Sequence, residues 1–167
     1  MLNIRSKSRE ARAAAMRLDS GIVSRSRAPV FYAKLGVADT VDGRFDLMVL
    51  HAWLVLERLR AQRLNDLSQA LTDALFTGFD EGLRELGSGD MGLGRRMKTV
   101  ADAFYGRLKA YGESADEGAM REALERNLYR GAQAPYAGEV ARYVLAAKKS
   151  LAQQDLASGD IDFGPLP

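Results

Sequence analysis

Between Phe45 and Leu59 the chain is apolar on every side of a helix. Phe45, Leu47, Met48, Val49, Leu50, Ala52, Trp53, Leu54, Val55, Leu56 and Leu59 leave no polar stripe at 3.6 residues per turn. A helix without a wet face cannot lie on the surface of a water-soluble body. Either neighbouring elements surround it as a central helix, or one face stays open for an apolar partner. It does not span a membrane: the uncharged run Leu47–Leu56 has ten residues, and a spanning helix needs roughly 18–20.

Residue choice decides what surrounds it. The sequence holds 25 Ala and 22 Leu against 9 Val, 3 Ile and 4 Thr, which favours helix over strand. No segment alternates with period two. The expected fold is all-α, a single domain of about six helices over residues 1–167.

The apolar spacing predicts a first helix from Arg9 to Arg27, with Ala11, Ala14, Ala15, Leu18 and Ile22 on one inward face, stopped by Ala28-Pro29. Val30 to Ala38 is a connector or short helix. The central helix opens near Thr40 or Asp42 and runs to about Ala61. Asp39 and Thr40 are N-cap types, and Asp42 and Asp46 lie where the helix dipole favours anions. A third helix follows Leu64, Leu67, Leu71, Leu75, Phe79, Leu83 and Leu86, with Gly78 and Gly82 placed for a kink or a close crossing and Gly87 as terminator. A loop from Gly87 to Gly94 leads to a helix carrying Leu93, Met97, Val100, Phe104, Leu108 and Tyr111. Ser114 to Glu117 reads as a capping box for the fifth helix, with Glu117/Arg121 and Glu122/Arg126 as i,i+4 pairs. The last helix holds Tyr136 to Leu151, and residues 157–167 form an irregular tail.

Several chemistries drop out. With 0 Cys and 1 His, thiol nucleophiles, Cys-ligated zinc, iron–sulfur clusters and a His-rich metal site are excluded within one chain. Gly87-Ser88-Gly89-Asp90-Met91-Gly92 fits the spacing of a dinucleotide fingerprint, but a helix precedes it where a strand is required. Gly89 to Arg96 approaches a phosphate loop, but Arg95 and Arg96 stand where Lys and Ser/Thr are needed. What remains is an anion-tolerant helix start or a plain turn with Asp90 as cap. His51 has only apolar residues at i±3 and i±4, which marks a hydrogen-bonded core histidine. A weaker option gives His51 or a Met to haem iron. No catalytic residue, cofactor or metal site is expected, and the chain does not read as an enzyme.

Charge is uneven. Residues 1–27 carry seven Lys/Arg against Glu10 and Asp19, a net +5, while the remainder is −3. The bland account is a solvated helix face. A second reading is a basic helical module for ribosome or nucleic acid, and a third is contact with anionic lipid. An Arg-rich, acid-poor start also has the composition of an organellar transit peptide.

The run Tyr32-Ala33-Lys34-Leu35-Gly36-Val37-Ala38-Asp39-Thr40-Val41-Asp42-Gly43-Arg44-Phe45-Asp46-Leu47 resembles the signature of the ubiquinol–cytochrome c chaperone family. The likeness continues through Leu50-His51, Leu83 to Gly87, Gly89-Asp90-Met91-Gly92-Leu93-Gly94-Arg95-Arg96-Met97 and Ala103 to Arg107, over about residues 10–150. It implies an all-helical, non-enzymatic assembly factor of respiratory complex III that binds newly made cytochrome b, with a small partner protein and the ribosome as associates of mitochondrial members. It implies no DNA partner, and a place peripheral to the inner membrane, on its cytoplasmic or matrix side. The short chain resembles a bacterial form. Candidate partner-binding residues are Asp39, Thr40, Asp42, Gly43, Arg44, Phe45, His51 and Trp53 on the central helix, and Gly89, Asp90, Met91, Gly92, Gly94, Arg95 and Met97 at the glycine-rich segment. Trp53, one side of the central helix, Met91, Leu93 and Met97 are the candidates for an open apolar surface, and the reading that the rule for apolar stripes favours is that all of them are core.

Overall fold

The computed structural model describes every residue except Met1 and Ser88, and every side chain except those of residues 1–7, 88, 90 and 91. The helices are α1 (Leu2–Ser26), α2 (Pro29–Ala33), α3 (Val41–Ala61), α4 (Asn65–Glu85), α5 (Asp90–Gly112), α6 (Glu117–Asn127) and α7 (Ala137–Ala152). No strand occurs among the described residues. Six helices are long, and the connector resolves into the short α2 with Pro29 at its first position.

The central helix is α3. From Asp46 to Val55 every residue is buried except Met48, which is half-buried. It contacts α1, α4, α5 and α7, so the all-round apolar pattern is consumed mostly by the chain's own helices. On α1, Ala14, Ala15, Leu18 and Ile22 form the buried stripe. Between α4 and α5, Phe76, Phe79 and Phe104 pack edge to face at 5.2–6.1 Å.

Four local expectations change. The segment Gly87–Gly94 is not all loop: Gly87 closes α4 with φ +83°, Gly89 is the N-cap of α5 without a side-chain cap bond, and Gly92 and Gly94 lie in the first turns of the helix. Asp90 is thus the first helical residue rather than the cap. At α6 the cap is Asp116, whose Oδ1 accepts from Ala119 N at 2.8 Å. Ser114 instead donates to Ala110 O, since Asp116 stands nearer the helix start. Glu122 pairs with Arg126 as expected, whereas Arg121 pairs with Glu125 and Glu117 reaches Arg142 of α7. The first helix begins at Leu2 rather than Arg9.

The tail has no helix, as expected, yet it is part of the core. Leu156 and Phe163 are buried. Arginines from α1 and α3 hold its backbone: Arg17 donates to Ser158 O, Arg25 to Gly164 O at 2.7 Å, and Arg58 to Gln154 O at 2.7 and 3.0 Å. Gly159, at φ +84°, lies so close to α1 that a Cβ would come 2.4 Å from Ala14 O.

Candidate functional site: an apolar groove over a buried ion cluster

The start of α3 is built from the signature residue by residue. Thr40 caps the helix, its Oγ1 accepting from Gly43 N at 3.1 Å. Gly43 faces the incoming strand of chain so closely that a Cβ would stand 1.9 Å from Ala38 O. Arg44 donates to Asp39 at 2.7 Å across the turn. Asp42 accepts from Arg130 at 2.9 Å.

One turn further in, Asp46 is fully buried. Arg130 donates to it through Nε at 2.6 Å and Nη2 at 3.2 Å, and Arg107 of α5 lies 2.8 Å away. Burial holds the Asp46 carboxyl above its ordinary range, although the Arg130 hydrogen bonds and the Arg107 and Arg130 charges pull it down. The same hydrogen bond raises Arg130 further above its already high range, and the two short guanidinium contacts make the cluster a buried salt bridge. Arg130 sits in the left-handed region at φ +54°, an uncommon conformation for a side-chain-bearing residue, and this places its guanidinium over the α3 start. Asp46 therefore does not serve the helix dipole alone, as its position near an N-terminus suggests. It ties α3 to α5 and to the α6–α7 link.

Above this cluster lies a groove of about 590 Å³, walled by Phe45 and Met48 of α3, Phe79 and Leu83 of α4, and Val100 and Ala103 of α5. Phe45 packs edge-on to Phe79 at 5.2 Å, with the Arg107 guanidinium 5.7 Å from its ring centre. Gly78 and Gly82 line it, and a Cβ at either would meet nothing within 4 Å. Val41 and Leu86 stand at the rim, 60% and 59% exposed.

The structure thus brings Asp42, Arg44 and Phe45 to one groove, and uses Asp39, Thr40 and Gly43 to shape the turn beneath it. His51 is placed elsewhere. It is fully buried, donating from Nδ1 to Leu47 O and accepting at Nε2 from the Tyr143 hydroxyl, both at 2.8 Å. Leu47 O can only accept, which fixes the tautomer. Burial lowers the imidazole to about 4 and pushes Tyr143 up to about 12. Trp53 is 3% exposed, packed on Tyr111 at 5.7 Å with the Lys148 ammonium 5.4 Å from its ring centre. It is almost wholly covered, and only its edge reaches a second groove, lined also by Leu56, Phe104, Tyr105 and Leu108. Leu93 is buried and Met97 half-buried against the core. Gly89, Gly92, Gly94 and Arg95 are exposed and do not line the groove. The side chains of Asp90 and Met91 fall outside the described residues. The sequence reading missed Arg107 and Arg130. The available signal was Asp46 itself, a charge at the edge of an otherwise apolar stretch.

Among the described residues no cluster of His, Asp and Glu could hold a metal, and no helix is long and apolar enough to cross a membrane. The class this geometry defines is an all-helical domain with an apolar groove beside a buried ion cluster. Residues 33–159 match the family model described as Ubiquinol-cytochrome C chaperone, and the chain belongs to that family. The crystal structure of the Cbp3 homolog from Brucella abortus superimposes with a TM-score of 0.86 at 37% identity, over 98% of this chain and 96% of that one. Protein CBP3, mitochondrial, of Saccharomyces cerevisiae is 28% identical over 152 residues, 83% of this chain and 45% of that protein. The chain therefore spans less than half the length of that curated relative. The matched region starts within α2, later than the residue-10 onset that the sequence likeness implies.

Proposed function

We propose that this protein is an assembly chaperone of ubiquinol–cytochrome c reductase that shields an apolar stretch of newly made cytochrome b, from a position peripheral to the membrane. The observation that carries the reading is the convergence of the family signature with the groove: Asp42, Arg44 and Phe45 line the same apolar surface that the core leaves open. Membrane helices expose apolar area in water at a cost of roughly 25 cal/mol per Å². A holdase lowers that cost only with surface its own core does not consume, and Val41, Leu86 and the two open glycines supply it. At about 590 Å³ the groove grips one short face of a client helix rather than an entire span of about 30 Å. Family membership favours a non-enzymatic role.

The test is a photocrosslinking residue at Leu86 in cells making cytochrome b, with one at Glu122, exposed on α6 and outside the groove, as control. Crosslinks to cytochrome b from Leu86 and few from Glu122 are expected. Normal complex III in a deletion strain would refute the reading.

A further inference from the structure

We propose that the groove at the α3 start and the second groove beside Trp53 are the two ends of one trough, and that a single client helix of membrane-spanning length lies along it, displacing the aromatic ridge that divides them. The proposal rests on the client-binding reading and extends it to the part of the helix that the first groove does not reach. Both grooves have walls from α3, α4 and α5, and the second holds about 600 Å³. Met48, Ala52, Leu56 and Arg60 form one i,i+4 row along α3. Met48 lines the first groove, Leu56 and Arg60 the second, and Ala52 is buried between them. Val100, Phe104 and Leu108 make the matching row on α5, with Val100 in the first groove and the other two in the second. On α4, Leu83 and Phe79 line the first and Thr72 the second, with Phe76 between them on the same face.

What divides the grooves is aromatic side chain. Phe76 packs on Phe79 and Phe104 at 5.5 and 5.2 Å. Phe79 and Phe104 are buried, whereas Phe76 is half-buried and carries Tyr105, 57% exposed, stacked on it at 6.1 Å. This outer pair can turn aside by side-chain rotation while the buried pair stays packed. The trough is charged at its ends and apolar between. Arg27 and Arg44 stand at the α3 start, and Arg60, Lys109 and Glu113 at the α3 end. Two charges lie between and both are already paired, Arg107 with Asp46 and Glu57 with Lys148. A membrane-spanning helix has the same pattern, polar flanks around an apolar stretch of about 20 residues. Its length fits as well: α3 rises about 28 Å from Val41 in the first groove to Arg60 in the second, against about 30 Å of hydrocarbon core.

The experiment places a photocrosslinking residue at Val41 or at Arg60, both exposed, in the full chain in cells making cytochrome b, and maps the crosslinked client residues by mass spectrometry. Both positions should mark the same client helix, at sites about 15–20 residues apart. A second arm uses the purified chain, which has no cysteine of its own. In F76C/Y105C a short bismaleimide ties α4 to α5 across the trough. The bridged protein should bind a synthetic apolar helix of about 20 residues no better than one of half that length, and the unbridged pair should prefer the longer helix. Crosslinks from Val41 alone, or crosslinks from the two positions on different helices or different proteins, would overturn the single trough and leave the client reading standing. A length preference that survives the bridge would do the same. Absence of crosslinks at both positions would overturn both readings.

Discussion

His51 is neutral because its complete burial disfavours the charged imidazolium more than the Leu47 carbonyl hydrogen bond favours it. The apolar surroundings include Phe31 and Phe163, whose rings lie 5.5 and 5.2 Å away, and they leave an imidazolium without solvation. Below pH 6.5 the unfolded chain takes up a proton that the folded chain refuses until about pH 4. Stability is therefore full above pH 6.5 and falls as pH drops through that window, by up to about 3 kcal/mol. Urea unfolding between pH 7 and 4 checks this, and His51→Leu should be less stable at pH 7 but lose that slope. Glycines give a second contrast at single positions. Gly43→Ala drives a Cβ toward Ala38 O and should cost about 1–3 kcal/mol. Gly78→Ala meets open space in the same kind of helix and should gain about 0.5–1 kcal/mol. Thermal melts of the two variants should move in opposite directions.

At the scale of elements, the start of α3 is a cap, a turn and an ion cluster stacked in seven residues. Thr40 is legible as the capping residue because caps obey local rules, whereas Asp39, an equally good cap type, pairs with Arg44 instead. The role of Asp46 is not legible, because Arg107 and Arg130 reach it from α5 and from a turn whose left-handed backbone nothing nearby announces. Asp46→Asn leaves two guanidiniums around a neutral group and should destabilise by about 3–5 kcal/mol. Arg130→Ala should cost less, about 1 kcal/mol, since that side chain is 46% exposed and water replaces part of what it loses. Chemical denaturation of both variants, with the double variant closing a cycle, measures the coupling. The glycine-rich segment shows the same limit from the other side. Its composition reads as loop, but the link after α4 is short and α5 starts within it, so Gly92 and Gly94 are carried as helix.

At the scale of the molecule, the tail and the groove mark what is closed and what is left open. Phe163 fills the space beside His51, with the Arg25 guanidinium 5.5 Å from its ring centre. Phe163→Ala should cost about 3 kcal/mol, with hydrogen exchange rising first in residues 155–164 and around His51. The groove is open at its rim, where Val41 and Leu86 are mostly exposed. Leu86→Glu should leave the melting temperature unchanged within about 1 °C while lowering complex III, read by spectra of membranes from a complemented deletion strain.

Residue order alone determined the helical class, nearly every helix boundary and the central place of α3, because propensity, periodicity and capping act over a few neighbours. It also marked His51 as a core residue, since its neighbours within one turn are all apolar. Only the tertiary structure decided that Trp53 is covered, that Asp46 gathers two distant arginines, that the tail closes the core, and that one apolar surface beside the signature remains uncovered. Each of these depends on which helix faces meet, and that is set by packing between residues far apart in the chain.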